Sequence, residues 1–216
     1  DLKLIFLISA ASFVIGFLFT IKLPNPVQEK ELTPGTTKTV ILKNKFLFLS
    51  LLLRHIGAAA VWTILPIMIV EKLGGELYHI SIVYVANTMT AFILMNVMAS
   101  KIHLSNVTKF KIGIGFTTFV FVGLSVVTEW WMAMPFMALV GATWAFLFIG
   151  GNFHLMENNP KSTSTGIFSS TLSIATVIGP IIAGSVAFLF DYVAVMYFAI
   201  AIIIVAFVVS LKIKNK

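Results

Sequence analysis

The chain has 216 residues, of which 59% are hydrophobic and 11% charged, and its mean hydropathy is +1.02. A water-soluble domain of this size could not hide so much apolar surface, since average usage is about 25% charged. The formal charge of +7 does not point to nucleic acid, because the cations sit at the ends of apolar runs instead of on one patch, and the absence of cysteine excludes disulfides, thiol catalysis and thiolate metal sites.

Seven apolar runs follow one another: 4–21, 46–70, 79–99, 110–128, 130–151, 165–190 and 192–211. Each is near the roughly 20 residues that cross a bilayer. Backbone N–H and C=O groups find no water in hydrocarbon, so such spans must be helices. The expected fold is all-α, a polytopic transmembrane bundle of seven spans. The first run is too long for the apolar core of a signal peptide, and its positive flank lies on the wrong side. It reads as a spanning helix, residues 1–22, of a chain clipped at its N-terminus. Residues 23–44 hold Pro24, Pro26, Pro34 and Gly35 with mixed charge and no apolar period, so a long loop is expected there. Residues 45–212 form a compact group of six helices, and 213–216 a short tail.

The charges fix the orientation. Lysine and arginine collect on the cytoplasmic side. Twelve of the fifteen basic residues fall in the linker, in the loops after the third and fifth helices, and in the tail. The opposite side carries Lys3 and Lys72 with Glu71, Glu76, Glu129 and Asp191. The tail and the loop 23–44 are therefore expected in the cytoplasm of a multi-pass protein of the cell membrane. Trp130 and Trp131 sit where an outer aromatic belt belongs.

The six helices divide into two triplets of similar spacing. Three helices separate matching members, so the second triplet is inverted relative to the first, a construction common among secondary transporters. The helices differ in polarity. The last is apolar nearly all round and is expected to face lipid, and the helix at 110–128 is nearly as bland. The others carry polar groups and are expected to face protein or a cavity.

Arg54 is the sharpest single feature. It lies about 12 Å past Phe46 along its helix, and a membrane-buried arginine costs at least about 2.5 kcal/mol on insertion scales. It reads either as a cavity cation meeting an anionic substrate or a carboxylate, or as a structural side chain that snorkels to the headgroups. His55 adjoins it, as a proton-coupling or a packing residue, and Trp62 could stack on a substrate or pack in a gate. Tyr84, Thr88 and Asn96 fall near one stripe with Asn87 beside it, suited to substrate contact or interhelical bonding. Trp144, Phe148 and Asn152 recur at intervals of four, with Asn152 expected in solvent. Ser169, Ser173 and Thr176 make a hydroxyl stripe. Ala175, Gly179, Ala183 and Ala187 make a ladder for helix packing. Pro180 removes a backbone bond and is a candidate bend.

Three stretches carry a family resemblance: Glu157-Asn158-Asn159-Pro160, Ser164-Thr165-Gly166-Ile167, and Gly179-Pro180-Ile181-Ile182-Ala183-Gly184. They resemble the loop after the tenth helix and the Gly-Pro-x-x-x-Gly run of the eleventh in the major facilitator superfamily. Asn96-Val97-Met98-Ala99-Ser100-Lys101 stands where that family repeats a Gly-x-x-x-Asp-Arg/Lys signature, and it keeps only the basic residue. The chain looks like the sixth helix, central loop and C-terminal six helices of such a transporter. The resemblance implies alternating access, with a small solute held between two halves of which the N-terminal one is missing here. Arg54, His55, Trp62, Asn87, Thr88, Trp144, Ser173 and Thr176 then become cavity candidates, and Asn96, Lys101, Gly179, Pro180 and Gly184 gating or packing candidates. Protons or another ion would supply coupling, and no cofactor is implied.

Other classes fit less well. A retinal protein needs a lysine in its last helix, and 192–211 has none. No H-E-x-x-H, G-x-S-x-G or P-loop occurs, so enzymatic hydrolysis and ATP-driven transport have no residues to carry them. The expected function is a secondary active transporter, a permease of small solutes, and not an enzyme. The alternative is a stand-alone seven-helix channel or scaffold, working as a homodimer.

Overall fold

A computed structural model of the protein describes residues 2–21, 36–100 and 102–214. Its described elements are helices: α1 (Leu2–Ile21), α2 (Thr36–Lys43), α3 (Lys45–Glu71), α4 (Leu77–Ser100), α5 (Asn106–Ser125), α6 (Ala133–Asn158), α7 (Lys161–Leu189) and α8 (Tyr192–Ser210), with a short 3-10 turn at Trp130–Met132. Contacts divide the chain into two units, residues 1–33 and 34–216.

The first unit holds α1, which is apolar over its described side chains, Phe6–Ile21. In the second unit α3 to α8 supply six helices long and apolar enough to cross a membrane, so the protein is a multi-pass membrane protein. Part of the loop expected at 23–44 is instead helical. α2 buries Val40, and Asn44 joins it to α3 by bonding the Val40 carbonyl with its side chain at 2.9 Å. Residues 23–35 of that linker lie outside the described residues.

Local chemistry sets the helix ends. Ser105 caps α5 by accepting from the Thr108 N–H at 3.1 Å, and Asp191 caps α8 by accepting from the Ala194 N–H at 2.7 Å. Gly74, at φ +65, makes the left-handed turn between α3 and α4. The Trp130 N–H donates to the Leu73 carbonyl at 2.9 Å, and the Trp130 ring stacks on His79 at 3.8 Å between centroids. These contacts fasten the α3–α4 turn to the start of α6.

Packing follows small residues. α3 packs on α7 and α8, α6 on α4 and α5, and α5 on α8. A Cβ at Gly113 of α5 would fall 2.5 Å from the Leu147 backbone nitrogen of α6, and one at Gly179 of α7 would fall 2.8 Å from the Ile56 carbonyl of α3. Glycine is what lets these backbones approach.

Burial within the chain ranks the helices differently from polarity. The bland helix at 110–128 is half buried and holds Thr117 at full burial. α8, expected to face lipid, presents only one side outward and packs the other through Val195, Ala199 and Ile203. α4 and α7, expected to face protein or a cavity, are the most open of the six within this chain. The reason is that a helical hydroxyl can satisfy itself on its own backbone. Thr88 bonds the Tyr84 carbonyl, Ser173 the Ser169 carbonyl and Thr176 the Ser173 carbonyl, so none of the three requires a neighbouring helix.

Candidate functional site

Arg54 is fully buried. α3 directs its guanidinium across the bundle to α5, where Nε and Nη2 donate to the Thr117 hydroxyl at 3.4 and 3.2 Å. That hydroxyl donates its own hydrogen bond to the Gly113 carbonyl at 2.6 Å, leaving its lone pairs for the arginine. The guanidinium also lies over Trp144 of α6, 5.7 Å from the ring centroid. The charged group ends in the interior of the bundle. Its third nitrogen, Nη1, has no hydrogen-bond partner among the described residues. A neutral hydroxyl and a ring face stabilise a cation without neutralising it, and an uncompensated buried charge is expensive.

An aromatic wall stands beside this cation. His55 meets Trp62 edge-on at 5.8 Å and Trp144 at 5.5 Å. Trp144 continues to Phe148 at 5.4 Å, and Phe148 to Phe168 of α7 at 5.6 Å. His55 Nδ1 and Trp62 Nε1 are buried without partners among the described residues, as are Asn152 Oδ1 and Thr163 Oγ1. Asn152, expected in solvent, is only 6% exposed. The cause is the length of α6, which continues to Asn158 and carries Asn152 well inside the helix.

α3 has a second feature, one that charge and periodicity do not reveal. Pro66 lies within it and has no N–H to give to the Trp62 carbonyl one turn back. The Tyr84 hydroxyl of α4 donates to that carbonyl at 3.0 Å. The α3–α4 contact, slight elsewhere, is thus pinned next to the aromatic wall.

The sequence candidates separate into two groups. Arg54, His55, Trp62 and Trp144 come together between α3 and α6. Thr88, Ser173 and Thr176 lie on exposed faces of α4 and α7, and Asn87 is half-buried on α4, against Gly141 of α6. Asn96 bonds the Phe92 carbonyl at 2.7 Å and is exposed. Gly179 is packed against Ala59 and Ala60 of α3, Pro180 is passed by a continuous helix, and Gly184 has open space around it. Lys101 lies outside the described residues. Thr117 was missed, although Gly113-x-x-x-Thr117 is a small-residue spacing that marks a close helix contact. Compared with protein-family models and with curated proteins, the chain matches none.

Proposed function

We propose that this chain is one half of a secondary active transporter of the major facilitator type, a permease that moves small solutes across the cell membrane by alternating access. The observation that carries the reading is Arg54: a fully buried cation with, among the described residues, one neutral oxygen as its hydrogen-bond acceptor, beside an aromatic wall whose buried polar atoms have no partner there. Such a charge is retained at a cost to folding, which argues for a role in binding an anionic group.

The packing supports two inverted three-helix repeats. Exchanging α3, α4 and α5 with α6, α7 and α8 carries α3–α7 onto α6–α4, α3–α8 onto α6–α5, and α5–α8 onto itself. The exchanged helix pairs also hold close glycine approaches, contributed in each case by the opposite member of the pair. Gly179 of α7 meets α3 at Ile56 and Ala60, while Gly141 of α6 meets α4 at Asn87 and Ala91. Gly57 of α3 meets α8 at Ala199, while Gly113 of α5 meets α6 at Thr143.

The open faces of α4 and α7, with Thr88, Ser173 and Thr176, are where a second six-helix half would complete the cavity. In this reading the tail is cytoplasmic, and the coupling ion enters with that half. The test is uptake by cells carrying the native gene, screened over labelled organic anions, sugars and peptides. Arg54→Ala should abolish transport while leaving expression intact, and Arg54→Lys should not restore it if the guanidinium grips its ligand with two nitrogens. Unchanged uptake in Arg54→Ala would sink the role. An immunoblot against the tail adds a second check: a band near twice 23.7 kDa supports one chain carrying both halves.

A further inference from the structure

Three buried polar atoms of the Arg54 cluster have no hydrogen-bond partner among the described residues: Nη1 of Arg54, Nδ1 of His55 and Nε1 of Trp62. The side chains that carry them sit together, with the His55 ring 5.8 Å from Trp62 and 5.5 Å from Trp144, and the guanidinium carbon 5.7 Å from Trp144. Arg54 and His55 are buried and both indoles half-buried, so the cluster is reached from the indole side.

The chemistry of these atoms selects a ligand. Nη1 carries two N–H groups and Nε1 one, while Nδ1 donates or accepts according to tautomer. Such a set calls for a ligand rich in acceptors. Sugars and peptides bring donors as well, and those would find only Nδ1 to receive them. A carboxylate brings acceptors alone.

The charges narrow the choice further. Within α3 to α8 the only carboxylates are Glu71 and Glu157. They lie about 25 Å from Arg54 along α3 and about 20 Å from Trp144 along α6. One negative charge on the ligand therefore balances the site. A second, or an ammonium, would be buried without a partner. Aromatic clusters also take cations, but the guanidinium already fills that role over Trp144. What the rings leave open is contact with an apolar, planar body.

We infer that the Arg54 cluster binds a monovalent aromatic carboxylate, its oxygens on Arg54 Nη1 and the Trp62 N–H and its ring among the indoles. The inference rests on the reading of Arg54 as a ligand-binding cation and names the class of ligand.

The test is equilibrium binding of radiolabelled phenylacetate to the full chain in uncharged detergent, with matched competitors. Phenylacetamide lacks the charge, phenylmalonate adds a second carboxylate, phenylglycine adds an ammonium and acetate lacks the ring. Each should compete at least about tenfold more weakly than phenylacetate, the low end for a hydrogen bond to a charged group. Cyclohexylacetate keeps the size without the π face and should be about two- to tenfold weaker. Arg54→Met should abolish binding. Trp62→Phe keeps a ring, removes the N–H and should weaken binding about tenfold. Lys72→Gln removes a cation at the outer turn, where Lys72 lies over Tyr192, and should leave binding intact. The inference is overturned if phenylacetate does not bind, if phenylmalonate, phenylglycine or acetate competes equally, or if Arg54→Met binds unchanged. Binding with this selectivity in a chain whose native gene gives no uptake would uphold the ligand class and refute transport. Arg54-dependent uptake of a dianion or a zwitterion would do the reverse.

Discussion

The Tyr84 hydroxyl supplies the Trp62 carbonyl with the hydrogen bond that Pro66 withholds, at 3.0 Å and from a different helix. In hydrocarbon an orphan carbonyl costs several kcal/mol, so the proline on α3 and the tyrosine on α4 work as a pair. Tyr84→Phe should therefore lower stability by about 0.6–1.7 kcal/mol, the range measured for interhelical bonds in membranes. In a Pro66→Ala background the helix regains its own N–H, and the same substitution should cost close to nothing. Thermal unfolding of the four proteins in micelles measures the coupling. Equal costs in both backgrounds would mean that the hydroxyl serves another purpose.

Arg54 and Thr117 should respond in opposite directions. Thr117→Val takes away the one oxygen among the described residues that receives the guanidinium and should cost about 1.5–3 kcal/mol, as for other bonds to charged groups. Arg54→Met removes the buried charge at similar length and should leave the fold at least as stable, by analogy with buried ion pairs replaced by apolar residues. Combining the two should recover what Thr117→Val lost. A collapse of the fold in Arg54→Met would make the arginine a structural keystone and remove the basis for its functional role.

The glycines divide by what surrounds them. Gly141 meets the Asn87 carbonyl and the Ala91 nitrogen, backbone atoms that cannot turn aside. Gly141→Val should destabilise by about 1–3 kcal/mol or more, as overpacking does. At Gly184 nothing lies within 4 Å of the place a Cβ would take, so Gly184→Ala should gain about 0.5–1 kcal/mol from helix propensity alone. Unfolding of both variants in detergent checks the contrast, and a tolerated Gly141→Val would disprove the tight α4–α6 crossing.

Orientation can be read by labelling, because these 216 residues contain no cysteine. Glu76→Cys and Lys214→Cys each introduce one exposed thiol. A membrane-impermeant maleimide should label Glu76→Cys in intact cells and Lys214→Cys only after permeabilisation. The reverse pattern would invert the topology drawn from the lysines.

Run length and charge made the helical spans of the second unit legible, since hydrocarbon permits few alternatives to a helix. The same signals misjudged the linker. α2 is only eight residues long, and its stability comes from burying Val40 and from its junction with α3 at Asn44, neither of which is a periodicity. Arg54, His55, Trp62 and Trp144 could be picked out because charge and indole rings are costly or bulky anywhere in a membrane. Thr117 could not be picked out by polarity, because a threonine in a helix usually bonds its own backbone, as Thr88 does. Its meaning comes from Gly113 one turn away, which brings α6 close, and from an arginine two helices earlier.

The separation of Arg54 and Thr117 along the chain, 63 residues, sets a delay during synthesis. At about 5–20 residues per second, the arginine waits roughly 3–13 seconds before the threonine has been made. Over that interval the nearest relief for the guanidinium is the headgroup layer, within reach of its flexible stem. Membrane insertion of α3 is therefore provisional, and the arrival of α5 makes it final.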